Sequence, residues 1–168
     1  MIPFTTAVIF FLLFVLQTSM FKMFGWIAPD VPLLASLYFG SRYMETPGLQ
    51  AGILCGFLQD IASFGLMGIN FLSKGLCGMG AGWLMEKHII ERQAAVTWII
   101  LIFFGTAINQ AILLGYTASF FDSPVYFWSA FWRFLEQMFV NLLMGLPVFS
   151  LLERTETRMR KLLGIREV

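Results

Sequence analysis

Residues 48–82 read GLQAGILCGFLQDIASFGLMGINFLSKGLCGMGAG. Two apolar runs flank a small-residue turn, Gly65-Leu66-Met67-Gly68. Gly48, Gly52, Gly56 and Asp60 step by four along the first run, and Lys74, Gly78 and Gly82 along the second. A step of four returns to the same face of an α-helix. The spacing therefore predicts a helical hairpin, spans about 48–64 and 71–85, with a glycine ridge on each helix crowned by opposite charges. Asp60 and Lys74 each lie seven residues from Met67, which puts them at similar depth in the outer half of a membrane. A direct pair would lower the burial cost of both charges. Hydration near the surface and contact with another helix are the other arrangements open to them. Gln59 and Asn70 complete this polar set, and Asn70 is a plausible N-cap for the second helix. Small residues at spacing four let backbones approach closely. The ridges suit either tight packing inside one bundle or a seat for a partner's helix.

The rest of the chain explains why a membrane is the expected setting. It has 168 residues, 58% hydrophobic, 17% aromatic and only 12% charged, with a mean hydropathy of +0.78. An ordinary soluble domain is about 25% charged. Residues 153–168 hold eight of the charged side chains, so the first 152 residues are poorer still. Too little polar surface remains for a water-facing skin, which excludes a soluble domain and a disordered chain. The net charge of +1 implies no pull toward a nucleic acid. Each span needs about 20 mostly apolar residues, so the chain accommodates six with short connectors.

The expected bundle covers 1–152, with spans at about 3–21, 31–43, 48–64, 71–85, 94–116 and 131–152, and 153–168 forms a charged tail. The first apolar run lacks a basic leader and a small-residue cleavage site, so it reads as a retained span. Pro32 suits the first turn of the short second span. Asp122-Ser123-Pro124 marks a turn, and Tyr126, Phe127, Trp128 and Trp132 suit a membrane–water interface. Arg42, Lys87, Arg92, Arg154, Arg158, Arg160, Lys161 and Arg166 fall on one side of a six-span chain, against Lys22 and Arg133 on the other. That bias predicts cytoplasmic termini. The basic tail acts as a topology anchor.

Sets of residues able to do chemistry are sparse. His88 is the single histidine and sits in a charged loop, while Ser63 and Ser73 are expected on the opposite side. Asp60 and Glu136 are the only candidate carboxylate pair for an intramembrane protease, without a supporting motif. Cys55 and Cys77 lie in apolar stretches and read as packing residues. No cluster has metal-ligand spacing and no phosphate loop follows a strand. The expectation is a protein without catalytic, metal or cofactor-binding residues. A further step of four, Arg133, Gln137, Asn141 and Gly145, lies on the last span, and Gly105 and Asn109 on the fifth. With Glu136, Asn109 and Asn141 would be the polar groups of a solute cavity.

From Gly56-Phe57-Leu58-Gln59-Asp60 through Gly65-Leu66 and Gly68-Ile69-Asn70-Phe71-Leu72-Ser73-Lys74 to Gly78 and Gly82, the chain resembles the MreD family of rod shape-determining proteins. Pro29-Asp30 looks like that family's loop before the second span. Phe64 separates Ser63 from Gly65, where the family often has Ser-Gly together. The resemblance implies a non-enzymatic, multi-pass subunit of the bacterial inner membrane. It would bind MreC and act, through it, with MreB, RodA and the elongation penicillin-binding transpeptidase in peptidoglycan synthesis, cell-wall organisation and cell shape. The family's fold is similar to the membrane substrate-binding subunits of energy-coupling-factor transporters. That implies an all-α six-helix bundle and supplies the alternative function, binding a small vitamin-like solute.

Overall fold

The computed structural model describes residues 2–17, 28–63, 68–87, 95–120 and 127–162. Among them are six helices and no strand: α1 (Ile2–Leu16), α2 (Val31–Tyr43), α3 (Glu45–Ser63), α4 (Ile69–Glu86), α5 (Ala95–Phe120) and α6 (Phe127–Leu162). The loop with His88 and Arg92, the Gly65–Met67 part of the hairpin turn, Phe64, Lys22, the Asp122-Ser123-Pro124 turn with Tyr126, and Arg166 lie outside the described residues.

α2 is the axis of the fold. It starts where it does because Asp30 accepts a hydrogen bond from the Leu33 amide, 3.2 Å away, and Pro32 presets the first turn. Ten of its 13 residues are buried. Tyr38 lies parallel to Trp98 of α5 at 5.8 Å and also meets Phe149 of α6 and Phe10 of α1. One residue, Met44, joins α2 to α3. Its φ of 79° is left-handed, and its N–H donates to the Gly40 carbonyl while its own carbonyl accepts from Gly48.

α3 and α4 meet along the glycine ridges. The buried residues of α3 are Gly48, Gly52, Gly56 and Asp60. A Cβ on Gly48 would run into the Gly78 carbonyl, one on Gly52 into that of Lys74, and one on Gly56 into that of Asn70. Gly40 of α2 presses on the same Gly78 carbonyl, and Gly82 on the Met44–Glu45 backbone. The ridges are thus consumed inside one chain. A partner's helix cannot sit on them, which corrects that half of the sequence expectation.

α5 and α6 close the other side. α6 runs 36 residues, about 54 Å at 1.5 Å per residue, and carries Pro147 inside it. The charged stretch from residue 153, whose alternating signs resemble the charged end of a helix, is helical to Leu162. Two stretches, Val96–Tyr116 and Trp128–Arg158, are long and apolar enough to cross a membrane, which is compatible with membrane association. α2 is about 20 Å long, and the glycines and polar residues of α3 and α4 lower their hydropathy.

An apolar core is joined by buried polar side chains, and large apolar side chains also cover much of the outside. Leu54, Phe139, Leu143 and Leu151 are each more than 60% exposed, whereas Lys74 and Asn141 are 0% exposed.

Candidate functional site

Asp30, Asp60, Ser73, Lys74, Thr106, Asn109 and Asn141, all buried, form one network with Asn70 and Gln137 where α2 to α6 converge. At its centre is Lys74 on α4. Its Nζ lies 3.2 Å from Asp30 Oδ2, 2.8 Å from Asn70 Oδ1 and 3.5 Å from Asn109 Oδ1. An ammonium has three donors, and three acceptors surround it. Ser73 donates to the same Asn109 oxygen at 2.8 Å, and the Asn109 amide reaches back to Asp30 at 3.4 Å.

Asp60 does not pair with Lys74. Its carboxylate accepts from the backbone N–H groups of Gly68 at 2.9 Å and of Asn70 and Phe71 at 3.3 Å, and from the Asn70 side chain at 2.8 Å. These are the unsatisfied amides of the first turn of α4. Gly68, at φ 108°, is the N-cap residue and has no side chain to serve them, so α3 supplies the cap from across the hairpin. Asn70 is therefore not the N-cap, as its sequence position suggested. It sits inside the helix, with its amide joining Asp60 on one side to Lys74 on the other.

The second half of the network serves a break in the backbone. Residues 28–30 are not helical. The Asp30 N–H donates to Asn141 Oδ1 at 2.8 Å, the Ala28 carbonyl accepts from Gln137 at 3.0 Å, and Gln17, just past the end of α1, accepts from the Val31 N–H at 3.1 Å. Asn141 also bonds Thr106 of α5 at 3.1 Å. Irregular backbone away from water needs such partners, because each unsatisfied group costs several kcal/mol in hydrocarbon.

The charges nearly cancel. Each helix N-terminus is equivalent to about half a positive charge. Those of α2 and α4, together with Lys74, face two carboxylates, Asp30 and Asp60.

A second polar group ties the far end of α2 to α6. Arg42 Nε lies 2.9 Å from Glu156 Oε2, and the Tyr43 hydroxyl donates to Glu156 Oε1 at 2.7 Å. Glu156 is buried although it lies in the stretch expected to be a charged tail.

Of the sequence candidates, Asp60, Asn70 and Lys74 belong to the network, and Gly48, Gly52, Gly56, Gly78 and Gly82 bring their helices into contact below it. Gln59 stands apart, its side-chain oxygen buried without a hydrogen-bond partner among the described residues. Asn109 and Asn141 belong to the network rather than to a solute cavity, and Glu136 is exposed. Asp30, Arg42 and Glu156 were not among the site candidates drawn from the sequence. The Asp30-Val31-Pro32 triplet carried a usable signal, a capping residue ahead of a first-turn proline. Glu156 carried none, because it looks like any other charge in the tail.

Cys77 Sγ lies 3.5 Å from the Gly105 carbonyl, and Cys55 is half-buried; both are free thiols. Among the described residues no three His, Cys, Asp or Glu side chains are grouped to hold a metal ion. No family model, curated protein or solved structure matches the chain.

Proposed function

We propose that this chain is a non-enzymatic, multi-pass subunit of a bacterial inner membrane, with six helices in the bilayer and both termini cytoplasmic. It works by binding partners, as MreD-like proteins do with MreC, and supports lateral peptidoglycan synthesis and rod shape. The observation that carries this reading is an apolar outer surface around a self-neutralised polar network. Large apolar side chains face outward on α1 and on α3 to α6, while two carboxylates, a lysine and several amides satisfy one another inside. A chain arranged in this way has its outer faces to offer, not an interior site. The residues that resemble MreD add support, since Asp60, Asn70 and Lys74 are all members of the network. The Lys and Arg bias supports the orientation.

A solute-binding subunit would need polar groups free to receive a ligand. Asn109 and Asn141 are engaged with Lys74, Ser73, Thr106 and the Asp30 backbone instead. Depletion in a rod-shaped host without a paralogue should give round or swollen cells, and an MreC-like single-span protein should co-purify with the chain. Retained rod shape after full depletion removes the proposal.

A further inference from the structure

We propose that the part of α6 beyond Pro147 is a hinged latch, held shut on α2 by Glu156 and able to swing away from Tyr38 as a unit. The latch depends on neither the setting of the chain nor its partner. α6 is fastened to the α2 segment at two levels, one on each side of Pro147. Before the proline it is fixed in place. Gln137 and Asn141 bond the backbone at Ala28 and Asp30, and Asn141 also bonds Thr106. Gly145 fits so closely that a Cβ there would meet Ile102 and Leu34. After the proline, Glu156 makes the polar contact to α2, accepting from Arg42 and from the Tyr43 hydroxyl. The Thr155 and Thr157 hydroxyls serve α6 itself, bonding the Leu151 and Glu153 carbonyls.

Pro147 supplies the pivot. It has no N–H to give the Leu143 carbonyl, and its ring crowds that carbonyl, so the helix bends most easily there. What the latch covers supplies the second state. Phe149 and Leu152 are buried, with Phe149 against the Tyr38 and Trp98 rings. Tyr38 is 0% exposed, and its hydroxyl is enclosed beside the Glu156 carboxylate without a hydrogen bond of good geometry. A hydroxyl buried in this way has lost its water and gained no full partner, which favours any state that lets water back in. Apolar burial and the Arg42–Glu156 bond favour closure, the hydroxyl favours opening, and one hinge separates the two arrangements. The shut latch hides Tyr38 and Trp98, and the open one presents them between α2 and α5.

Arg158 lies 11 residues beyond the pivot, about 16 Å along the helix. A swing of about 20°, the size of an ordinary proline kink, carries it about 6 Å, and Arg154, nearer the pivot, about 4 Å.

The test measures distances by pulsed electron spin resonance in the full chain, with Cys55→Ala and Cys77→Ala. One spin label sits at Glu86→Cys, on the exposed end of α4, and the other at Arg158→Cys or Arg154→Cys, both exposed on α6. Glu156→Gln should populate a second distance several-fold above its level in the parent chain, displaced by up to about 6 Å at 158 and about 4 Å at 154. Adding Pro147→Ala should bring that population back down. Tyr38→Phe should act in the opposite sense to Glu156→Gln and favour closure, because the hydroxyl that favours opening is gone. Warming the parent chain should populate the same second distance, so the outcome does not hang on Glu156→Gln folding, and Tyr38→Phe should suppress it there too. A single distance in every variant and at every temperature overturns the latch. So does a broad spread at 158 with 154 unmoved, which is fraying of the helix end. Opening caused by Tyr38→Phe also overturns it, since the hydroxyl would then be part of the clasp.

Discussion

Lys74 places its ammonium 3.2 Å from Asp30, 44 positions earlier in the chain, and not on Asp60 across the hairpin. The two acidic residues divide the work. Asp30 receives the lysine and caps α2, while Asp60 caps α4.

Removing one member of the Asp30–Lys74 pair leaves a buried charge without its counterion. Lys74→Met and Asp30→Asn should each destabilise the protein, by about 3–5 kcal/mol at the upper end. The double variant should be less destabilised than the sum of the two, because no charge is left uncompensated. Thermal unfolding in detergent of the two singles and the double measures the coupling.

Exchanging the charges of Asp60 and Lys74 should not restore what either single change loses. A lysine at 60 presents donors to the α4 amides, which are donors themselves. Asp60→Asn keeps one acceptor oxygen and should be milder than Asp60→Ala, whose cost is about 1–2 kcal/mol from the lost cap alone. Steady-state membrane levels should be higher for Asp60→Asn than for Asp60→Ala, and no higher for the charge-exchanged double variant than for either single change.

Gly78 and Gly80 lie two residues apart on α4 and should respond oppositely to alanine. A Cβ on Gly78 meets the Gly48 backbone, whereas one on Gly80 has open space. Gly78→Ala should cost about 1–3 kcal/mol or more by overpacking against a backbone that cannot move aside. Gly80→Ala should be neutral or gain up to about 1 kcal/mol of helix propensity. Paired melting curves decide it.

Glu156→Ala should loosen the end of α6. Arg42 and the Tyr43 hydroxyl both lose the acceptor that ties α2 to the helix. Hydrogen exchange over residues 153–162 should accelerate, with little change over 127–150. Equal acceleration along all of α6 would argue against a local tie.

The helical content was legible because apolar runs of helical length are separated by turn residues. α2 runs over residues 31–43 as expected, since Asp30 and Pro32 fix its start. α3 begins at Glu45 rather than 48 because Met44 adopts a left-handed backbone that a sequence reader does not expect of methionine. The contact of the ridges was legible from spacing, since glycines at every fourth position have few other uses. The pairing of the charges was not. Asp60 and Lys74 have the right depth for each other, but the α4 amides outcompete a lysine for Asp60, and Lys74 finds Asp30 from a segment that reads as a loop. Contacts between residues far apart in sequence leave no local trace.

Gln137 and Asn141 illustrate this in time as well as in space. The Asp30 amide is satisfied by a side chain 111 residues later. A chain made from its N-terminus exposes residues 28–30 long before α6 exists. Until that last helix arrives, the break ahead of α2 has to stay in contact with water or a helper protein. The order of synthesis therefore makes α6 the piece that lets residues 28–30 be buried, and truncations before residue 137 should be recognised and degraded as unfinished chains.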